Sequence, residues 1–586
     1  MKRNVLKYSV VLLILFFIFV TVSVNAEIVS EGVCGENLTW TLDNNGTLTI
    51  NGTGDMTDYS SSEVPWKSSR QNITSIIINN GVTSIGQAAF FDCDGLVSVK
   101  IPEGVIKIGR SAFLKCDNLS DIEISDSVTC IGALAFGRTA YYNDISNWEN
   151  GVLYLGNYLL EADWLIEGEC SIKQGTKCIG EEAFSERENL TGVIIPDSVL
   201  YIGDWAFQVC SNLKNVEMGN NIETIGVGAF NSCKNLTSIK LPNSLKSVEL
   251  YAFYNCTALD KIYINDIAAY LDIQYGSEVD CPMYYADKLY LNNKRVVNIT
   301  IPEGVKKIPA YSFDGCDSLS KVIVPDSVET IGENAFHGCN GLTSITLPFV
   351  GSSRTAARTN DAVLGYIFGY SLSEETRTIK QYYSSENYSY YYIPASLSEV
   401  KITDSIQIPY GAFYGCHTLI SVAIEKKVAF IDKYAFFDCT NLEKVVISKN
   451  MAEIEAGAFE NCNNIKTVKY KGNEKEWSEV YVGGNNGTLM TADIEYDYDT
   501  TVKTSCDVEI INNIVIVTPE NVPDGCDIIF ACYKDNIMID MDCFTYQGTT
   551  IVPFATSCKY DKIKVMIWNN IKDMQPLCNI KCIEQL

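Results

Sequence analysis

Between about residues 75 and 470 the apolar positions follow a period far longer than a helix turn or a strand alternation. The dipeptide Ala-Phe, once Ser-Phe, recurs with its Phe at 90, 113, 136, then 184, 207, 230, 253, then 313, 336, then 413, 436, 459, and inside each block the spacing is 23 residues. Around the Phe the unit reads IPxxVxxIGxxAFxxCxxLxxI, as in Ile101, Pro102, Val105, Ile108, Gly109, Ala112, Phe113, Cys116, Leu119 and Ile122. In Leu236, Ile239 and Leu241 the last two alternate with polar residues, which predicts a short strand with one buried face. Pro242 stops it, because proline has no N–H for the next ladder bond. From Ile225 and Gly226 through Phe230 to Cys233 the apolar spacing of three to five predicts a helical or irregular turn. One such coil cannot bury its own apolar face. Successive coils must therefore stack, rising about 4.8 Å each along a parallel sheet, into a curved repeat solenoid.

On these residues the repeat resembles the BspA-like leucine-rich repeat found in surface and secreted proteins of bacteria and some parasitic protists. The resemblance covers residues 75–470 apart from insertions. It implies a leucine-rich-repeat solenoid of 23-residue coils with its parallel β-sheet on the concave face, and a role in interaction or adhesion. Residues 27–74 resemble the hairpin region that precedes such repeats: Gly32 to Trp40 and Leu48 to Gly54 flank a turn at Asp43, Asn44, Asn45 and Gly46, and would cap the first coil.

Three stretches break the period, at 139–165, 266–297 and 349–398. The second, from Ala268 to Tyr290, recurs in outline after the last repeat as Glu476 to Tyr496, and both read as a short helix plus hairpin covering the solenoid edge. The third is rich in tyrosine, with Tyr366, Tyr370, Tyr382, Tyr383, Tyr388, Tyr390, Tyr391 and Tyr392 among Ser, Thr and Gly. Such a mixture supplies rigid contact area and adaptable hydrogen bonds, and it equally describes a hairpin packed on a sheet edge. Residues 471–499 read as a C-terminal cap and acidic junction. From 500 to 586 alternating runs such as Ile510 to Val517 and Ile563 to Trp568, separated by turns such as Pro523, Asp524 and Gly525, predict an immunoglobulin-like or fibronectin-like β-sandwich.

The N-terminal segment changes the setting. Lys2, Arg3 and Lys7 precede an apolar run from Tyr8 to Val24, and Val24, Asn25 and Ala26 supply the small residues of a signal-peptidase site, so residues 1–26 are expected to be a signal peptide and the protein secreted or extracellular. No span of the mature chain is expected in a membrane. Ten of the 22 cysteines lie three residues after a repeat Phe, which predicts a buried ladder of reduced thiols in place of a disulfide framework. Seven more, Cys506, Cys526, Cys532, Cys543, Cys558, Cys578 and Cys582, fall in the last domain, an odd number, and their connectivity is open.

A formal charge of -27 excludes a nucleic-acid partner, whose phosphates would be repelled. No zinc helix, nucleophile elbow or phosphate loop is present, and the chain has only two histidines, His337 and His417, both at scaffold positions. Cys416 beside His417 belongs to the buried ladder. No catalytic residue, metal or cofactor is expected, and the chain reads as a monomeric binding protein for an extracellular protein or glycan, not an enzyme. The alternative is a carbohydrate-active enzyme or accessory module acting on polysaccharide through carboxylates. The residues flanking the central apolar one of each strand face the open side of the sheet, where Lys100, Lys240, Lys261, Lys321, Lys444 and Lys469 stand against Asp121, Glu123 and Glu217. Candidate ligand-binding residues are accordingly Lys100, Lys240, Lys261, Tyr263 and Lys321, with Tyr366, Tyr370, Tyr382 and Tyr383 of the third insertion.

Overall fold

The computed structural model describes residues 26–371, 378–425 and 427–496, and beyond 504 the strands alone. The expected signal peptide lies outside the described residues. The chain up to Val445, with Asn450–Lys466 and Val480–Ala492, forms one compact unit; Val446–Lys449, Thr467–Glu479 and the chain from Asp493 form a second.

Each repeat of the first unit is one coil with two short strands. The strand preceding the Gly of the IG dipeptide pairs in parallel with its neighbours at a register of one repeat, Cys130 opposite Lys107 and Ile131 opposite Ile108. The LxxIxL strand does the same, with Ser238, Ile239 and Lys240 opposite Lys261, Ile262 and Tyr263. Between the two strands the chain makes an irregular turn, and no helix forms there. Its cause is visible in the backbone: the residues two before and two after the Phe are left-handed, as at Ser111 (φ 56°) and Lys115 (φ 65°), which no helix tolerates. In the strands the N–H groups reach back one coil, Thr129 to the Ile106 carbonyl and Gly132 to that of Ile108. In the turns they reach forward, Ser111 to the Ala133 carbonyl and Phe113 to that of Ala135. Within a block each coil is thus bonded to both neighbours.

The Phe rings form the spine of the core. Phe90, Phe113 and Phe136 stack at 5.1 and 5.2 Å, Phe184 to Phe253 at 4.9, 5.2 and 5.6 Å, and Phe413 to Phe459 at 4.8 Å each. These values sit close to the strand spacing of about 4.8 Å that sets the rise per coil. The hairpin joins this spine: Thr47–Gly52 pairs antiparallel with Leu38–Asp43 and parallel with Ser75–Ile78, and the buried Trp66 stacks on Phe90 at 5.6 Å while its indole N–H donates to the Ala89 carbonyl. Trp66 is therefore the first rung.

The cysteine column has a polar reason besides its size. The thiols of Cys116, Cys210, Cys233, Cys256, Cys339, Cys439 and Cys462 each donate to the carbonyl of the Phe one coil back, at 2.9 to 3.2 Å. Every cysteine among the described residues is free. Two positions in the column are not Cys: the fully buried Thr139 hydroxyl donates to Phe136, and the buried Arg187 guanidinium donates to the Ala162 carbonyl and pairs with Glu161 at 3.1 Å.

The first two interruptions supply strands to the parallel ladders, whereas the third leaves them and forms a sheet of its own. In the first, Tyr158–Ala162 pairs in parallel with Cys178–Ile179. The second opens with helix Ile267–Asp272, then supplies Gln274–Tyr275 to one ladder and Lys288–Leu291 to the other, where Tyr290 lies opposite Tyr263. Only Lys294–Arg295 folds back antiparallel on that strand. In the third, Ser344–Leu347 pairs directly with Glu399–Ile402, and Phe368 approaches Phe336 at 6.4 Å in place of a repeat Phe.

In the second unit Thr467–Tyr470 pairs in parallel with Asp493–Glu495, and helix Glu474–Ser478 starts with a capping box from Asn473 and Glu476. Farther on, Ser505–Ile511, Ile514–Glu520 and Val552–Ala555 form one antiparallel sheet, and Ile537–Thr545, Asp527–Lys534, Lys562–Trp568 and Lys581–Glu584 another. The side chains of the seven late cysteines lie outside the described residues.

Candidate functional site

The strands bring the predicted lysines into two rows. Ser238, Lys261 and Lys288 stand in register, and so do Lys240, Tyr263 and Tyr290 two residues along; farther on Asn298, Lys321, Ser344, Glu399 and Ser421 continue the first kind of row in a second sheet. Lys100, Lys240 and Lys321 are exposed and Lys261 half-buried. The Tyr263 and Tyr290 rings stack at 4.8 Å, so Tyr263 presents an edge to solvent.

The strip is less one-signed than the Lys count suggests. Register adds Lys288 and Lys401 on one side and Glu169 and Glu399 on the other. Several lysines are also neutralised in place: Lys100 by Glu123 at 2.8 Å, Lys288 by Asp260, and Lys401 by Glu425 at 3.3 Å. These pairs join adjacent coils or adjacent strand ends, so the mixed charges follow from stacking itself. Lys100 is fully exposed, where such a pair contributes little to stability.

The Tyr-rich stretch forms a three-stranded antiparallel sheet, Tyr370–Ser371, Tyr388–Tyr391 and Ile379–Tyr382. Its anchor is buried. The side-chain oxygen of the buried Gln381 accepts from the Gly365 N–H at 2.7 Å and its amide donates to the carbonyls of Ala412 and Tyr414, while the buried Tyr391 hydroxyl donates to the Asn360 carbonyl. Toward solvent, Tyr382 packs on Tyr388 and Tyr414 at 5.2 and 4.9 Å, and Lys380 sits 3.8 Å from the Tyr388 ring centre. Tyr370 is exposed; Tyr366 and Tyr383 are half-buried. The sheet does not gather the predicted tyrosines: Tyr370 lies on one edge strand opposite Tyr391 and Tyr382 on the other edge strand opposite Tyr388, and the sheet is held through Ala412 and Tyr414.

Cys416 and His417 do not make a dyad. The thiol is fully buried and burial pushes it well above the ordinary thiol range, while His417 turns to Thr440 and Asp438 at 3.4 and 3.8 Å. Beside helix Ile267–Asp272 a cleft of about 650 Å³ is lined by Glu303, Lys306, Lys307 and Glu329; Lys306 pairs with Glu329 and Lys307 donates to the Gln274 side chain. No cluster of three metal-ligating side chains occurs among the described residues, and no helix there is long and apolar enough to cross a membrane.

A sequence reading passed over Tyr251, Tyr254, Tyr284, Tyr285 and Tyr311, which gather on the turn side. Their signal was faint but present: Tyr251 and Tyr311 both stand two residues before the repeat Phe.

Stacked coils of 23 residues with parallel strand ladders and an apolar Phe spine define a leucine-rich-repeat solenoid. The chain belongs to the BspA type leucine-rich repeat family, whose model matches residues 67–167, 168–274, 286–357 and 366–483. Among solved structures it is similar to a leucine-rich repeat protein from Eubacterium ventriosum (19% identity, covering 80% of this chain and 97% of that one, TM-score 0.23). It is likewise similar to one from Bacteroides ovatus (22% identity, 79% and 98%, TM-score 0.26) and to a leucine rich cell surface protein from Faecalibacterium prausnitzii (22% identity, 76% and 96%, TM-score 0.21). No curated protein matches the chain.

Proposed function

We propose that this protein is a recognition scaffold acting outside the cell, an adhesion-type binder of an extracellular protein or glycan and not a catalyst. The observation that carries it is the strand rows: one ladder holds Lys240, Lys261 and Tyr263 at fixed spacing on an open face and the next ladder holds Lys321, as a broad binding surface requires. Membership of a family of repeat proteins built on such faces supports it. The expected signal peptide supports an extracellular setting, and the Tyr-rich sheet with Tyr366, Tyr370, Tyr382 and Tyr383 offers a second contact region.

The test is a binding screen of the chain from Glu27 onward against matrix-protein and glycan arrays, followed by the triple variant Lys240→Glu, Lys261→Glu and Lys321→Glu. Retention of one class of ligand, weakened in the triple variant at unchanged Tm, is the expected result. An affinity unaltered by the three changes removes the strand face from the site. Hydrolysis of a polysaccharide, lost on replacing one carboxylate pair, overturns the non-catalytic reading.

A further inference from the structure

Five tyrosines from three consecutive turns meet on the side of the first unit opposite in chemistry to the Lys rows. Tyr251 and Tyr254 are 5.9 Å apart at 73°, Tyr284 and Tyr285 5.1 Å at 79°, and Tyr284 and Tyr311 5.0 Å at 87°. Such edge-to-face pairs leave ring faces open, unlike the stacked rings of the Phe spine. Tyr251, Tyr254 and Tyr284 are 50%, 53% and 44% exposed. That is a large aromatic area to leave in water in one place.

The cluster is held, not loose. The Tyr251 N–H donates to the carboxylate of the buried Asp280 at 2.8 Å, Ser277 donates to the same carboxylate at 2.6 Å, and Asn334 donates to the Tyr311 hydroxyl at 2.7 Å. The carboxylates acting on Tyr285 and Tyr311 are themselves engaged: Asp280 is buried and accepts from Tyr251 and Ser277, and Asp314 pairs with His337 at 2.7 Å. Asp287, in the same coil, is exposed.

Exposed aromatic rings, with Asp287 exposed three residues from Tyr284, on a chain of net charge -27, attract cations and repel anionic polymers. We propose that Tyr251, Tyr254 and Tyr284 form a docking surface for a Lys- or Arg-bearing segment of a partner protein, the cationic side chains lying on the ring faces. The proposal rests on the reading of the chain as an extracellular recognition scaffold, and it places a second partner on a face separate from the strand rows.

The probe is a fluorescein-labelled peptide alternating Arg, Gly, Lys and Gly, and the readout is fluorescence anisotropy with the chain from Glu27 onward. The triple variant Tyr251→Ala, Tyr254→Ala and Tyr284→Ala is expected to weaken binding by about tenfold or more, as loss of three cation–ring contacts implies. The triple Tyr→Phe variant, which keeps the faces, stays within about threefold of the wild type. Circular dichroism confirms that both fold. Equal binding by wild type and the Ala variant assigns the peptide to diffuse charge and overturns the proposal. A Phe variant as weak as the Ala variant overturns it too, since the hydroxyls would then carry recognition, as does retention of a neutral polysaccharide by these tyrosines with no retention of the peptide. The Lys240, Lys261 and Lys321 triple variant separates the two surfaces: peptide binding that survives it stands even if the strand face binds nothing.

Discussion

The thiol of Cys233 donates its proton to the carbonyl oxygen of Phe207 across 3.1 Å, one coil back. The same carbonyl also accepts from the Cys210 N–H of its own turn, so it is doubly satisfied in a dry core. Burial raises the Cys233 thiol well above its ordinary value, which keeps the donor protonated.

Cys233→Ala removes that donor and leaves a small void, and is expected to cost about 1–2 kcal/mol, read as a drop in thermal or denaturant midpoint. Native thiols of the column should react with a maleimide only as the protein unfolds. Rapid labelling at full native signal, or a column disulfide in the mass spectrum, contradicts the packing described.

Gly228 sits at a left-handed position (φ 58°), and a Cβ there would lie 2.1 Å from the Trp205 ring. Gly457 faces Tyr434 in the same way at 2.8 Å. Gly228→Ala should destabilise by roughly 2 kcal/mol through overlap and backbone strain. Trp205→Ala in the same chain should remove the overlap and leave only the strain. A double-mutant cycle showing simple additivity would count against the ring as the cause.

Arg187 replaces cysteine in the buried column, and its pair with Glu161 ties the first interruption to the next coil. Burial raises the Glu161 carboxyl, with Arg187 opposing. Arg187→Ala leaves that carboxylate and the Ala162 carbonyl without their donor and should cost about 3 kcal/mol. Arg187→Cys, which restores the column residue but not the charge partner, should recover little.

The His337 Nδ1–H donates to the Asp314 carboxylate at 2.7 Å, and that hydrogen bond raises the histidine's pKa above its ordinary value. The folded form therefore holds its proton more tightly than the unfolded one. The stabilisation is whole below pH about 6.5 and is lost as pH rises through the higher folded value. The Tm gap between wild type and Asp314→Asn should accordingly be larger at pH about 5.5 than at pH about 8. A gap independent of pH would show that the pair is not ionic.

The coil was legible because each column has one dominant demand. Phe fills the spine, Cys satisfies a carbonyl, and glycine surfaces at 228, 411 and 457 and at 315, 338 and 415, all left-handed positions. The first two interruptions were harder to read, since their coils keep the ladders without the Phe that advertises them; Tyr158–Ala162 and Lys288–Leu291 look like ordinary apolar runs. The Lys rows were visible by alternation. Glu123, the partner of Lys100, was visible with them, but Glu425 and Asp260 were not, because they lie outside the alternating positions and reach Lys401 and Lys288 only through the stacking. The tyrosine cluster needed three turns brought together, and its middle members, Tyr284 and Tyr285, sit in a coil that has no repeat Phe.

One detail of the ladder tells how such a chain changes length. In coil after coil a glycine follows the strand isoleucine, and its N–H reaches the preceding coil, as Gly109, Gly132, Gly203, Gly226 and Gly332 do. At 309 and 409 that residue is proline, and the strands before them, Lys307–Ile308 and Gln407–Ile408, are each the first of their sheet. A residue without an N–H stands where no carbonyl waits. At Pro309 the other ladder starts afresh as well, at Asn298–Thr300, whereas at Pro409 it runs on from Ser344–Leu347 to Glu399–Ile402, so the first proline alone stands where a block of coils ends as a whole and could be duplicated or exchanged without breaking a ladder.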